Sequence, residues 1–218
     1  MSLSTVQFRL EDFQFSLQEI KDLVGLPEWK ILNVYMYGSR VYGTYNYDSD
    51  YDFLVLANSL NREREIKRGK YNIHIHTPDK FQDDLWKCQM VNLECIFAPT
   101  FARLQETIEY KKAFGVDPIK FKKSILKQSH NSWMKSKMKF REMDIERAIK
   151  SIFHSMRILL FGLQVMSEGK IYDFSEANDY WQEISDIDEY KWNFFKEKFL
   201  PRKKVLEEML MELKSKDV

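Results

Sequence analysis

Asp50 and Asp52 bracket Tyr51 just before an apolar run, Phe53-Leu54-Val55-Leu56. In an extended strand residues i and i+2 point to the same face. The two carboxylates therefore project side by side, with Tyr51 turned to the opposite face. Two acids held that close repel each other unless a cation sits between them. Mg²⁺, or Mn²⁺ in its place, suits the pair, because such an ion takes oxygen ligands from one or two carboxylates together with substrate phosphates. Upstream, Gly38-Ser39 follows a second apolar run, Ile31-Leu-Asn-Val-Tyr-Met-Tyr37. A turn there offers backbone N–H groups near a helix start, where phosphate binds well. Asp50 and Asp52 as metal ligands, with Gly38 and Ser39 as phosphate holders, point to chemistry on a phosphorylated substrate.

The elements that must position these residues are legible from periodicity. Residues 1–30 read as a helical lead-in, with Leu17, Ile20 and Val24 at helical spacing and Pro27 ending it. Strands are expected at 31–37 and 51–57, with a short helix after Ser39. Residues 58–69 are polar and read as a connection. The alternation of Tyr71, Ile73 and Ile75 with Asn72, His74 and His76 predicts a third strand over 70–76. Pro78 opens a helix reaching about Met90, and 92–97 reads as a strand or a helix start around Glu94. From about 101 onward the pattern turns helical. Helices are expected from Pro118, from Met143 to Met166 with a stop near Gly169, from Asp173 onward, and after Pro201. The fold class is α/β (α+β), a small mixed sheet with flanking helices followed by a helical bundle. The expected division is 1–110 for the catalytic domain and 111–218 for the helical domain.

With 218 residues, 44% of them hydrophobic and 15% aromatic, the chain can bury a sizeable core. No apolar run reaches the roughly 20 residues that span a bilayer, and the N-terminal residues lack a signal-peptide pattern. Cys88 and Cys95 have no metal-ligand partners at useful spacing and suit reduced thiols in a cytoplasmic protein. A net charge of +1 hides an asymmetry: residues 111–142 carry ten Lys or Arg against Asp117 and Glu142. Such a block is either a footprint for a phosphate chain or the solvated faces of two helices.

The series of an apolar strand, Gly38-Ser39, a polar spacer and Asp50-Tyr51-Asp52 before Phe53-Leu54-Val55-Leu56 resembles the nucleotidyltransferase superfamily of DNA polymerase beta. The form GSRVYGT followed by SDYD is similar to small nucleotidyltransferases near the RNA-repair branch. The segments 150–157, 161–162 and 169–177 resemble the helical half of the same relatives, less specifically. The resemblance implies transfer of a nucleoside monophosphate from a nucleoside triphosphate, ATP among them, to a hydroxyl, with release of pyrophosphate. It implies an RNA end as acceptor, places Arg40 beside Gly38 and Ser39 in the nucleotide-binding turn, and gives Asp50 and Asp52 the metal. Nucleotidylation of a small molecule or a protein, and a non-catalytic nucleic-acid or antitoxin-like binding module, are the alternatives. Oligomeric state is not legible.

Members of that superfamily usually place a third carboxylate on a neighbouring strand, but 70–76 has no acid. Glu94, between Leu93 and Cys95, is the nearest acid in a strand-like setting, and a buried carboxylate is costly unless paired or metal-bound. Glu94 or His74 is therefore expected to serve as second-metal ligand or base. In the helix 143–166, Arg147, Lys150, His154 and Arg157 recur at intervals of three and four, opposite Ile149, Ile152, Phe153, Met156 and Leu160. That stripe is either an ordinary exposed face or a set of contacts to a triphosphate. The triphosphate reading takes Lys150 as a point charge, Arg157 as a bidentate clamp and His154 between them. Tyr172 and Trp181 are candidates for stacking on a base, against a plainer role in the core.

Overall fold

The computed structural model describes residues 15–58, 62–115, 117–188 and 190–213. Helix α1 (Leu17–Val24) is capped by Ser16, whose hydroxyl accepts from the Glu19 N–H, and it stops at Gly25 in the left-handed conformation. Residues 1–14 of the expected lead-in lie outside the described residues. Strand β1 (Ile31–Tyr37) and strand β2 (Tyr51–Ala57) fall on the two apolar runs. Between them, α2 (Ser39–Tyr42) is a single turn.

The sheet has five strands in the order β3-β4-β2-β1-β5, with β3 (Arg64–Arg68), β4 (Tyr71–His76) and β5 (Arg103–Glu106). Only β2 and β4 run parallel; the other neighbours are antiparallel. The central strands are almost wholly buried, as continuous apolar runs covered on both faces should be. Two strands correct the reading of the sequence. The 58–69 connection contains β3, an exposed edge strand whose single apolar residue, Ile66, is too little to announce it. The 103–106 stretch is β5, held by pairing with β1 and not by its own hydrophobicity.

Helices α3 (Pro78–Trp86) and α4 (Met90–Phe97) follow β4. Glu94 thus sits on a buried helix and not in a strand-like setting. The helical half begins at α5 (Pro118–Arg141), capped by Asp117, and returns along α6 (Ile145–Glu168). The two long helices approach closely through small residues. A Cβ at Gly162 would come within 2.7 Å of Ile125 Cγ2, and the Ser129 hydroxyl donates to the Ser155 carbonyl at 2.8 Å. Helix α7 (Asn178–Ser185) starts later than Asp173. Helix α8 (Trp192–Glu212) contains Pro201 in its interior, whereas the sequence predicts a helix only after it. Its buried Phe195, Phe199 and Leu210 outweigh the break that proline imposes. Among the described residues, no helix is long and apolar enough to cross a membrane.

Candidate active site

A cavity of about 830 Å³ lies between the sheet and α5–α7, within the size range of small-molecule and cofactor sites. Gly38, Ser39, Asp50, Asp52 and His74 line one side, and Lys150, His154 and Trp181 the other. Gly38 joins β1 to α2 at φ +86°, a conformation that an L side chain rarely adopts. A Cβ there would stand 2.5 Å from Asp52 Oδ2. Glycine is therefore required twice: by the backbone angle, and by the approach of the turn to the carboxylate.

Asp52 lies on β2 opposite Tyr37 of β1 and Asn72 of β4. The Asn72 amide donates to Asp52 Oδ1 at 2.9 Å and fixes that side chain. Burial raises the Asp52 carboxyl above its usual range; the Asn72 bond opposes this, and the nearby Asp50 charge adds to it. Asp50 itself is exposed, one residue before β2 begins. The two acids supply hard oxygen donors on the cavity wall, so the donor set fits Mg²⁺ or Mn²⁺ completed by substrate and water. No group of three or more His, Cys, Asp or Glu forms a denser metal cluster among the described residues. In the sequence Asn72 reads only as a strand residue. Its function as the holder of Asp52 depends on the parallel β2–β4 register, for which the local sequence carries no signal.

The other expected site residues divide. His74 shares the cavity wall with Asp52, and its Nε2 is 3.8 Å from Glu65 Oε1 on the edge strand β3. Lys150 reaches the rim, exposed and paired with Glu146 at 2.5 Å. His154 is half-buried on the same wall, with its Nδ1 lacking a hydrogen-bond partner among the described residues. Burial first, then the charges of Arg157, Lys135 and Lys150, hold its imidazole well below the ordinary histidine range. The stripe along α6 therefore does not present one uniform face. Arg147 is in solvent with Asp144, Lys150 and His154 meet the cavity, and Arg157 is buried.

Glu94 and Arg157 meet each other inside the protein. Arg157 Nη1 donates to Glu94 Oε1 at 2.8 Å, and the Tyr42 hydroxyl donates to Glu94 Oε2. The Arg157 guanidinium also lies 3.8 Å from the centre of the Tyr42 ring. Glu94 is 1% exposed and does not line the cavity. Burial pushes its carboxyl up, while Arg157 and Tyr42 draw it back. Arg157 borders the cavity, but the carboxylate occupies one of its amino groups, so a free bidentate phosphate clamp is not what the geometry offers. Arg40 is buried and not on the cavity wall, and it turns toward the loop 43–50. Trp181 borders the cavity edge-on to Phe153, whereas Tyr172 is exposed elsewhere.

Residues 17–159 match the family model described as nucleotidyltransferase domain. Comparison with curated proteins gives no match. Among solved structures, the chain is similar to spectinomycin adenyltransferase AAD(9) from Enterococcus faecialis with ATP and spectinomycin. The TM-score is 0.48 at 14% identity, covering 90% of this chain and 98% of that one. A second similarity is to a nucleotidyltransferase-like protein from Exiguobacterium sibiricum 255-15, with a TM-score of 0.33 at 9% identity over 89% and 72% of the two chains.

Proposed function

The chain belongs to the nucleotidyltransferase domain family, and from that premise we propose that it moves a nucleoside monophosphate from a nucleoside triphosphate to a hydroxyl acceptor and releases pyrophosphate. One observation carries the reading: Asp50 and Asp52 line a cavity beside the Gly38-Ser39 turn and opposite Lys150 and His154. Asp50 and Asp52 are the proposed ligands of Mg²⁺ or Mn²⁺, which when bound neutralises phosphate charge and polarises the transferring group. Asn72 keeps Asp52 aimed at that ion. Ser39 and the turn hold the terminal phosphates, with Lys150 and His154 facing them across the cavity. With Glu94 committed to Arg157, His74 is the remaining candidate to take the proton from the attacking hydroxyl. The division at 1–110 and 111–218 is proposed on the same basis, since the first part supplies acids and the second cations to one cavity. The free, buried Cys88 and Cys95 suit a reducing, cytoplasmic setting.

For the acceptor, the geometry favours a small polar molecule inside the cavity. Lys112, Lys120 and Lys139 of the basic block are paired with neighbouring acids, and Lys122 donates to the Met211 carbonyl at 2.8 Å at the end of α8. Ser132 and Gln128 of α5 line the cavity instead, with the Gln128 amide held by the Met90 N–H and the Cys88 carbonyl. An RNA end is the second reading, supported by exposed Lys123, Lys127 and Lys135 on the same helix. Incubation with each labelled triphosphate, Mg²⁺ and panels of hydroxyl-bearing small molecules and RNA ends tests both. Label on a small molecule supports the first reading. Label on RNA, with binding that weakens in salt by a log–log slope of about −0.7 per phosphate contact, supports the second. Failure to bind any triphosphate in the presence of Mg²⁺ would overturn the proposal.

A further inference from the structure

We infer that Arg40 is a positioning residue for the metal site: it fixes the backbone at Ser49 and Asp50 so that the Asp50 carboxylate stands beside Asp52. This rests on the reading of Asp50 and Asp52 as metal ligands. Asp50 is exposed and lies at the end of the 43–50 loop, one residue outside β2. Its own element therefore does not hold it, and the neighbouring like charge pushes it away. Arg40 leaves α2 on the side facing that loop. Its Nε–H donates to the Asp50 carbonyl at 3.2 Å and its Nη2–H to the Ser49 carbonyl at 2.6 Å.

The guanidinium lies over two rings, 3.7 Å from the centre of Tyr51 and 5.0 Å from that of Tyr45. The residue is 7% exposed. A planar fork that grips two successive carbonyls and stacks on an aromatic face is specific to arginine, since lysine supplies a point charge with neither the fork nor the plane. The rest of the loop is knit locally: Asn46 Oδ1 accepts from the Asp48 N–H at 3.0 Å, and the Asn46 N–H donates to Ser49 Oγ at 2.9 Å. The start of the loop is tied to α2 by the Gly43 and Thr44 N–H groups, which donate to the Ser39 carbonyl, and its middle by Lys70, which donates to the Tyr47 carbonyl; at its end Arg40 grips the residue that bears the carboxylate. Groups that orient metal ligands from outside the coordination shell typically change metal affinity or activity by roughly 10–100-fold when lost.

The test is Arg40→Lys in the full chain, read by Mn²⁺ binding without nucleotide, using the electron paramagnetic resonance signal of the free ion. Mn²⁺ affinity is expected to fall roughly tenfold or more, and Mg²⁺-dependent turnover with it. Triphosphate binding in EDTA should be unchanged, because Arg40 does not line the cavity. Tyr51→Leu keeps the fork and removes one stacking face, so a smaller fall is expected from it, and it serves if Arg40→Lys does not fold. Wild-type Mn²⁺ affinity in folded Arg40→Lys, or in Tyr51→Leu where the lysine variant is unfolded, overturns the inference and leaves the metal site standing. No Mn²⁺ binding by the wild-type chain, or unchanged binding by Asp52→Asn, overturns the metal-site reading and this inference with it.

Discussion

Two carboxylate clusters lie close together in this protein and are built on opposite principles. Asp50 and Asp52 face a cavity with like charge beside like charge, and the Asn72 amide is the bond that steadies Asp52. Glu94 is sealed between α4, α6 and α2, with both oxygens satisfied by Arg157 and Tyr42. The first cluster leaves charge uncompensated where a substrate and its cation can compensate it; the second compensates its charge internally. A buried acid between apolar neighbours in a sequence fits either pattern, and only the second pattern fits Glu94. The sealed cluster also joins the two halves across the cavity floor, because Tyr42 follows the Gly38-Ser39 turn and its carbonyl accepts from the Asn178 amide at 2.8 Å.

Breaking the sealed cluster should give the largest effect. Glu94→Gln strands the buried Arg157 charge and is expected to lower stability by about 3–5 kcal/mol, read from the denaturant midpoint. The double change Glu94→Leu with Arg157→Met should recover much of that loss, since apolar replacement of a whole buried pair is often neutral or better. If Glu94→Gln is as stable as wild type while transfer vanishes, Glu94 belongs with the catalytic acids after all.

The open cluster predicts the reverse. Asp52→Asn should reduce transfer at least roughly a hundredfold, about 2.7 kcal/mol of barrier. The metal-free fold should melt no lower than wild type, because the substitution removes a half-buried charge that burial and Asp50 both disfavour. A thermal melt with and without Mg²⁺ sharpens the contrast: the ion should raise the melting temperature of wild type and leave Asp52→Asn unmoved.

A pH effect follows from His154, the partly buried base facing Arg157, Lys135 and Lys150. Its folded pKa lies below its ordinary value of 6.5, so the unfolded chain binds the proton more readily. The contribution to stability is therefore present above about 6.5 and is lost as pH falls toward the folded value. A triphosphate beside it should reverse the shift, so nucleotide binding should take up a fraction of a proton near neutral pH. Calorimetry in buffers of different ionisation heat measures this, and His154→Gln should abolish the uptake. The smallest effect is expected of Lys150→Ala: a several-fold rise in KM for the triphosphate, with little change in melting temperature, because its exposed pair with Glu146 contributes little to folding. A melting temperature that falls while KM stays constant would make Lys150 a structural residue.

The central strands, the Gly-Ser turn and the Asp-x-Asp pair are legible along the chain. The strands and the turn rest on residues near in the chain, a run of apolar side chains and a backbone angle open to glycine; Asp50 lies one residue outside β2, so its i, i+2 spacing from Asp52 does not by itself place it. β3 and β5 escaped because their pairing partners, and not their own side chains, make them strands. The α8 start escaped because packing of Phe195 and Phe199 overrides the signal of Pro201. The site divided along the same line. Asp50, Asp52 and the turn were legible, whereas the partners of Glu94, Arg157, Arg40 and Asn72 were decided only by the tertiary structure. Glu94 and Arg157 are 63 residues apart, and Asp52 and Asn72 meet only through the register of two parallel strands. A charged side chain acts through whatever lies within a few ångströms of it, and for these four residues the fold alone brings those neighbours together.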